Sequence, residues 1–129
     1  MLNNLATQIF NNAKDKGFHD VEHNIGQMLC LIHSEVWEAL EADRKNKHAV
    51  YSHNITHNID LNELNSTSDK QYFKQEFEVS IKDTFEDEMA DIIIRVLDLC
   101  AYKGIDIEKH LALKMAYNSL REYKHGKAY

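Results

Sequence analysis

The run Met28-Leu29-Cys30-Leu31-Ile32-His33-Ser34-Glu35-Val36-Trp37-Glu38-Ala39-Leu40 carries an apolar segment straight into two carboxylates three residues apart. On an α-helix, residues three and four apart share a side. Met28 and Leu31 therefore occupy the turns before Glu35 and Glu38 on that side, which is not how a solvated face reads. Ile25, Leu29, Ile32, Val36 and Leu40 recur at helical spacing and predict an inner stripe. Asn24 is a good N-cap with Gln27 three residues on as its capping partner. Arg44 and Lys45 stand where the helix dipole favours cations. The spacing predicts a helix from about residue 24 to residue 45 or 46.

Working outward, Leu2, Leu5, Ile9 and Ala13 predict a helix over about 2–16, stopped by a left-handed turn at Gly17. A third helix begins at Asp83 or Thr84, with Glu86 and Asp87 in its first turn, and stops at Gly104. Ile92, Ile93, Ile94, Val96, Leu97 and Cys100 make it apolar on more than one side, as in a central bundle helix or an oligomer interface. Asp106 caps a fourth helix whose inner stripe is Ile107, Leu111, Met115 and Leu120. With no proline and only four glycines, the chain reads as all-α, an antiparallel four-helix bundle-like core. Residues 46–82 are the least regular part. Asn, His, Ser and Thr dominate its first half. Tyr72, Phe73, Phe77, Val79 and Ile81 leave open a short helix or an extended arm.

At 129 residues the expectation is one domain, able to bury a single core without staples. The formal charge of −6 argues against general nucleic-acid binding, which rests on neutralising phosphates. It leaves small phosphorylated ligands open, because a bound metal inverts the local sign. No apolar run approaches the roughly 18 residues that span a bilayer. The start, Met1-Leu2-Asn3-Asn4-Leu5, does not read as a secretory leader. Cys30 and Cys100 lie in apolar helical stretches and read as buried, reduced thiols, pointing to the cytoplasm.

The chemistry concentrates in two carboxylate pairs, Glu35 with Glu38 and Glu88 with Asp91, each three apart on an apolar helix. Four such groups facing a part-buried cleft need protons, basic partners or a metal. An all-oxygen set suits Mg²⁺, with Mn²⁺ as the alternative. Ferritin-like di-iron bundles need two Glu-x-x-His motifs, and this chain has one such spacing, Glu122 to His125, in the tail. Lys114, Asn118 and Arg121 share one face of the fourth helix, followed by His125 and Lys127. Such cations opposite a metal cluster suit a polyphosphate. Trp37 has the ring to stack on a base, and equally that of a core or interface tryptophan. His48, His53 and His57 read as solvated loop histidines, and His33 and His110 as helix-surface histidines.

Three segments together resemble the MazG-like family of all-α nucleoside triphosphate pyrophosphohydrolases. They are Ser34-Glu35-Val36-Trp37-Glu38-Ala39-Leu40-Glu41-Ala42-Asp43-Arg44-Lys45, then Glu86-Asp87-Glu88-Met89-Ala90-Asp91-Ile92-Ile93, and the ending from Lys114 to Lys127. The resemblance implies that Glu35, Glu38, Glu88 and Asp91 hold Mg²⁺. It further implies that a nucleoside triphosphate is cut to the monophosphate and pyrophosphate, and that the chain forms a homodimer or a dimer of dimers. On this reading Glu38 or Glu41 takes a proton from the attacking water. Lys114 and Arg121, with Lys127 beyond them, hold phosphate oxygens, and Asn118 contacts sugar, phosphate or base. Trp37 or Tyr117 offers the base a slot. The 49 residues between Glu38 and Glu88 exceed the compact family spacing, so 46–82 is an insert. Alternatives are a dUTPase-like or phosphoribosyl-ATP pyrophosphatase-like enzyme of the same superfamily, a helical nucleotide or metal sensor without turnover, and a plain interaction module.

Overall fold

In the computed structural model, which describes residues 1–51, 64 and 66–126, the regular structure is all helical. Among the described residues there are five α-helices and no strand: α1 (Leu2–Asp15), α2 (Ile25–Arg44), α3 (Thr67–Ser80), α4 (Phe85–Tyr102) and α5 (Ile107–Ser119). A 3-10 turn, Tyr123–Gly126, follows. The all-α expectation holds, and the open alternative for the insert resolves as a helix over its second half.

The ends of the helices follow the cap residues. Asn24 Oδ1 accepts the Gln27 N–H at 3.2 Å, and Asp106 Oδ1 accepts the Lys109 N–H at 3.1 Å. The predicted start at Asp83 or Thr84 is built from both. Thr84 Oγ1 accepts the Asp87 N–H at 3.4 Å, and the Asp87 carboxylate accepts the Asp83 N–H at 2.9 Å. After α1, Gly17 takes φ 82°, Gly17 N–H bonds the Lys14 carbonyl and Phe18 N–H bonds that of Ala13. This is a Schellman turn, and a left-handed residue with no Cβ suits it. The same pair of bonds closes α2 around Asn46 (φ 51°) and α4 around Gly104 (φ 66°).

The chain forms two compact units. The first comprises residues 1–28 and 94–129, the second residues 29–93. In the first, α1 meets α5 through exchanged end groups. Leu2 N–H donates to Glu108 at 2.8 Å, Asn3 Nδ2 donates to Asp106 at 2.8 Å, and Glu108 N–H returns to Asn3 Oδ1 at 3.4 Å. The link after α1 is pinned by His19, whose side chain is only 4% exposed. Its Nε2 lies 2.8 and 3.1 Å from the two Asp98 oxygens. Its ring packs on Phe10, His23 and Tyr102. Asp98→Ala strands a buried imidazole, so it should lower stability by about 2 kcal/mol, read as a lower urea midpoint at unchanged m-value. A shift within a few tenths of a kcal/mol would show that the pair contributes nothing net.

In the second unit both ends of the insert are tied together. Val50 N–H bonds the Ser80 carbonyl and Phe85 N–H bonds the Lys47 carbonyl, each at 2.9 Å. Ala49 N–H donates to Glu86 Oε2 at 2.9 Å, and His48 Nδ1 lies 3.2 Å from Glu86 Oε1. The Ala49 N–H, ahead of the His48 contact, holds the Glu86 carboxyl below its ordinary value. His48 is thus anchored at the start of α4, against Phe85, rather than solvated in a loop. An excursion that leaves and returns at one place adds little closure entropy, so the insert lengthens the chain without moving α2 off α4.

Two expectations about packing need correction. The buried residues of α2 are Glu35, Ala39 and Ala42, while Leu29, Val36 and Leu40 of the expected inner stripe are exposed. On α5, Leu111, Met115 and Leu120 are exposed as well. Small alanines let another backbone approach closely, so they line the packed face while the large side chains point away. Among the described residues the core is Ala6, Ala39, Ala42, Leu97 and Cys100, and no large side chain is fully buried. Burial among the described residues thus falls on small side chains more than on large ones. Cys100 is buried, which pushes its thiol pKa up, and Cys30 is exposed, unlike the expected pair of buried thiols. Both are free. Among the described residues no helix is long and apolar enough to cross a membrane.

Candidate metal centre

Three of the four expected carboxylates meet. Glu35 on α2 and Glu88 and Asp91 on α4 each offer one oxygen, and these atoms all lie within 4.8 Å of one another. Glu35 and Glu88 are buried, 6% and 5% exposed, and Asp91 is half-buried. The placement follows from helix geometry. Glu35 shares its face with Ala39 and Ala42, and Glu88 lies on the first turn of α4 that Thr84 starts. Glu38, one turn beyond Glu35, is exposed and lies outside the cluster of three, yet its charge reaches Glu88. Burial comes first, then the charges of Glu38, Glu35, Asp91 and Asp87. Together they push the Glu88 carboxyl up from an ordinary 4.5 to about 7.

Burial and like charge thus disfavour the ionised form of Glu88. At neutral pH the cluster either keeps a proton on Glu88 or takes a cation in its place. Glu35, Glu88 and Asp91 can hold a metal ion, and hard carboxylate oxygens with room for further oxygen ligands fit the chemistry of a small divalent cation.

The other expected site residues fall elsewhere. Glu41 is tied along its own helix to Arg44 at 3.3 Å and Lys45 at 3.4 Å. Trp37 is exposed, with the Arg44 guanidinium 5.8 Å above its ring. Lys114, Asn118 and Arg121 belong to the first unit. Lys114 Nζ and Arg121 Cζ flank the Tyr117 ring at 5.1 and 5.9 Å. Asn118 Oδ1 is buried and finds no hydrogen-bond partner among the described residues. Lys127, like His53 and His57, lies outside the described residues. His33 and His110 are exposed on their helices, as expected.

Sequence reasoning passed over a cleft of about 410 Å³ beside the cluster. Asp91 lines it together with Asp87, Phe73, Phe77 and Lys82. The available signal was the Phe73 and Phe77 spacing of four residues, which puts both rings on one side of a helix once α3 is recognised.

No family model, no curated protein and no solved structure matches this chain.

Proposed function

We propose that the protein is a Mg²⁺-dependent nucleoside triphosphate pyrophosphohydrolase, releasing the monophosphate and pyrophosphate. One observation carries the reading: buried Glu35 and Glu88 and half-buried Asp91 converge on a single point. Such convergence is costly without a cation, and an all-oxygen donor set favours Mg²⁺ or Mn²⁺ over zinc. Bound there, the ion supplies neutralisation of phosphate charge and a lowered pKa for water. Glu35, Glu88 and Asp91 fix its position. Exposed Glu38, close enough for its charge to act on Glu88, stays free to accept a proton from the attacking water. Glu41, held by Arg44 and Lys45, is the weaker base candidate. The resemblance to MazG-like proteins supports this assignment.

The exposed apolar side chains of α2 and α5 support the second half of the proposal, that two or four copies of the chain assemble. The test of the reaction is phosphate release from a panel of ribo- and deoxynucleoside triphosphates with Mg²⁺, with and without added inorganic pyrophosphatase. Phosphate appears only with the helper enzyme, and Glu35→Gln and Glu88→Gln lower the rate about 100-fold or more. Phosphate without the helper would mean terminal hydrolysis and a different reaction. Metal and nucleotide binding without release would leave a sensor.

A further inference from the structure

The cleft beside the metal centre is built largely by the insert. Phe73 and Phe77 come from α3, Lys82 from the turn that follows it, and Asp87 and Asp91 from α4. All its lining residues belong to the second unit. Its volume is about 410 Å³, and it is open to solvent. The two phenyl rings lie with centroids 6.0 Å apart and planes tilted by 46°, both half-buried. They give the cleft one apolar wall. α4 lines it as well, and its Asp91 is also a member of the carboxylate cluster. The cleft therefore borders both the phenyl rings and one of the candidate metal ligands.

We infer that this cleft is the nucleobase subsite, with Phe73 and Phe77 as the platform on which the base of a nucleoside triphosphate packs. The inference rests on the reading above and names the part of the chain that selects the substrate. Charge settles the orientation. Lys74 and Lys82 face four carboxylates around the cleft, Glu78, Asp83, Asp87 and Asp91, a net of −2. A bare triphosphate is repelled from that lining, and one bound divalent cation cancels it. The phosphates are thus assigned to Asp91, the lining residue that is also in the carboxylate cluster, and the uncharged base to the phenyl rings. Lys82, exposed at the border of the cleft, is placed to meet the ribose or a phosphate oxygen. Base contact through two phenyl faces is tolerant of base identity, because every base has a π-face. Discrimination then comes from the shape of the space between the rings and Asp87, which the insert sets. Trp37 and Tyr117, by contrast, lie outside the cleft lining, with cationic side chains near their rings.

The test compares binding of a Mg²⁺–nucleoside triphosphate with binding of Mg²⁺–tripolyphosphate, which has the same phosphates and no base, by calorimetry on the full chain. Phe73→Ala and Phe77→Ala weaken the nucleotide roughly 10- to 100-fold and leave tripolyphosphate unchanged. Phe77→Tyr keeps the ring and retains affinity, which separates loss of the platform from loss of the α3 fold. Lys82→Ala, at an exposed position, weakens both ligands. Equal nucleotide affinity in a folded Phe77→Ala protein would overturn the subsite and leave the metal reading intact. If the wild-type chain binds tripolyphosphate with Mg²⁺ but gains nothing from the base, the subsite is likewise overturned. Failure of both ligands to bind alongside Mg²⁺ would sink the proposed function and the subsite with it.

Discussion

At pH 8, Mg²⁺ raises the melting temperature of the wild-type protein, while Glu88→Gln abolishes that rise and stabilises the metal-free chain. Both effects come from the upward shift of the Glu88 carboxyl to about 7, caused first by burial and then by Glu38, Glu35, Asp91 and Asp87. The sign is that of an acid whose folded-state pKa lies above its unfolded value. Between about pH 4.5 and 7 the folded chain binds more protons than the unfolded one, so stability falls as pH rises through that window. Above pH 7 the full cost is present, at most about 3.5 kcal/mol at ~1.4 kcal/mol per unit. Removing the charge at Glu88 lifts that cost, and metal-free Glu88→Gln should melt several degrees above wild type at pH 8 and close to it at pH 5.

Metal acts on the same equilibrium from the other side. A cation bound only by the folded state stabilises in proportion to the logarithm of its concentration above Kd, and it must displace the Glu88 proton to bind. The Mg²⁺-induced rise is therefore larger at pH 8 than at pH 6, and binding at pH 6 to 7 releases a proton, measurable by calorimetry in buffers of different ionisation enthalpy. Glu88→Gln loses both signals along with the activity. This pairing of higher stability with lost function is what a site kept at the expense of stability produces. A metal-independent melting temperature in wild type at both pH values would remove the metal centre, whatever the activity assay shows.

How much of this was legible in the sequence depends on the kind of signal. Caps were legible because they are local: Asn24, Asp106, Gly17 and Gly104 act within four residues, and each is found doing so. The meeting of Glu35, Glu88 and Asp91 was legible because like-charged pairs that interrupt two apolar stripes repel one another and call for a common counter-charge. The buried face of α2 was not. Periodicity marks where large apolar side chains recur, and here they face outward while Ala39 and Ala42 pack inward beside Glu35. Hydropathy cannot separate an apolar row that meets its own chain from one that meets another. The cleft was hidden for a different reason. Phe73 and Phe77 share a cleft with Asp91 because the chain turns back between α3 and α4, and the angle of that turn is set by packing that no local pattern encodes.

The outward rows carry the second large effect. Helix α5 leaves large apolar side chains in water, with Leu113 59% and Tyr117 58% exposed and Leu120, its C-cap, 85% exposed, and none of its residues is buried. Large apolar side chains left in water together mark a surface that takes a partner. Leu29, Val36, Trp37 and Leu40 of α2 and Met89 and Ile93 of α4 form further exposed rows in the second unit. We propose a second copy of the chain as the occupant, which would supply the same rows in return, since a two-fold interface is self-complementary. Sedimentation at micromolar concentration should therefore give a two- or four-chain mass. Leu113→Glu with Leu120→Glu places charge at positions already in water in the single chain, so it leaves helix content intact but shifts the mass toward one chain. Burying each leucine stabilises by about 2 kcal/mol per copy, so the double change should raise the dissociation constant by several orders of magnitude. It should also lower the melting temperature, because a partner that binds only the folded chain stabilises it by mass action. A wild-type protein that sediments as one chain would leave these rows to a different partner.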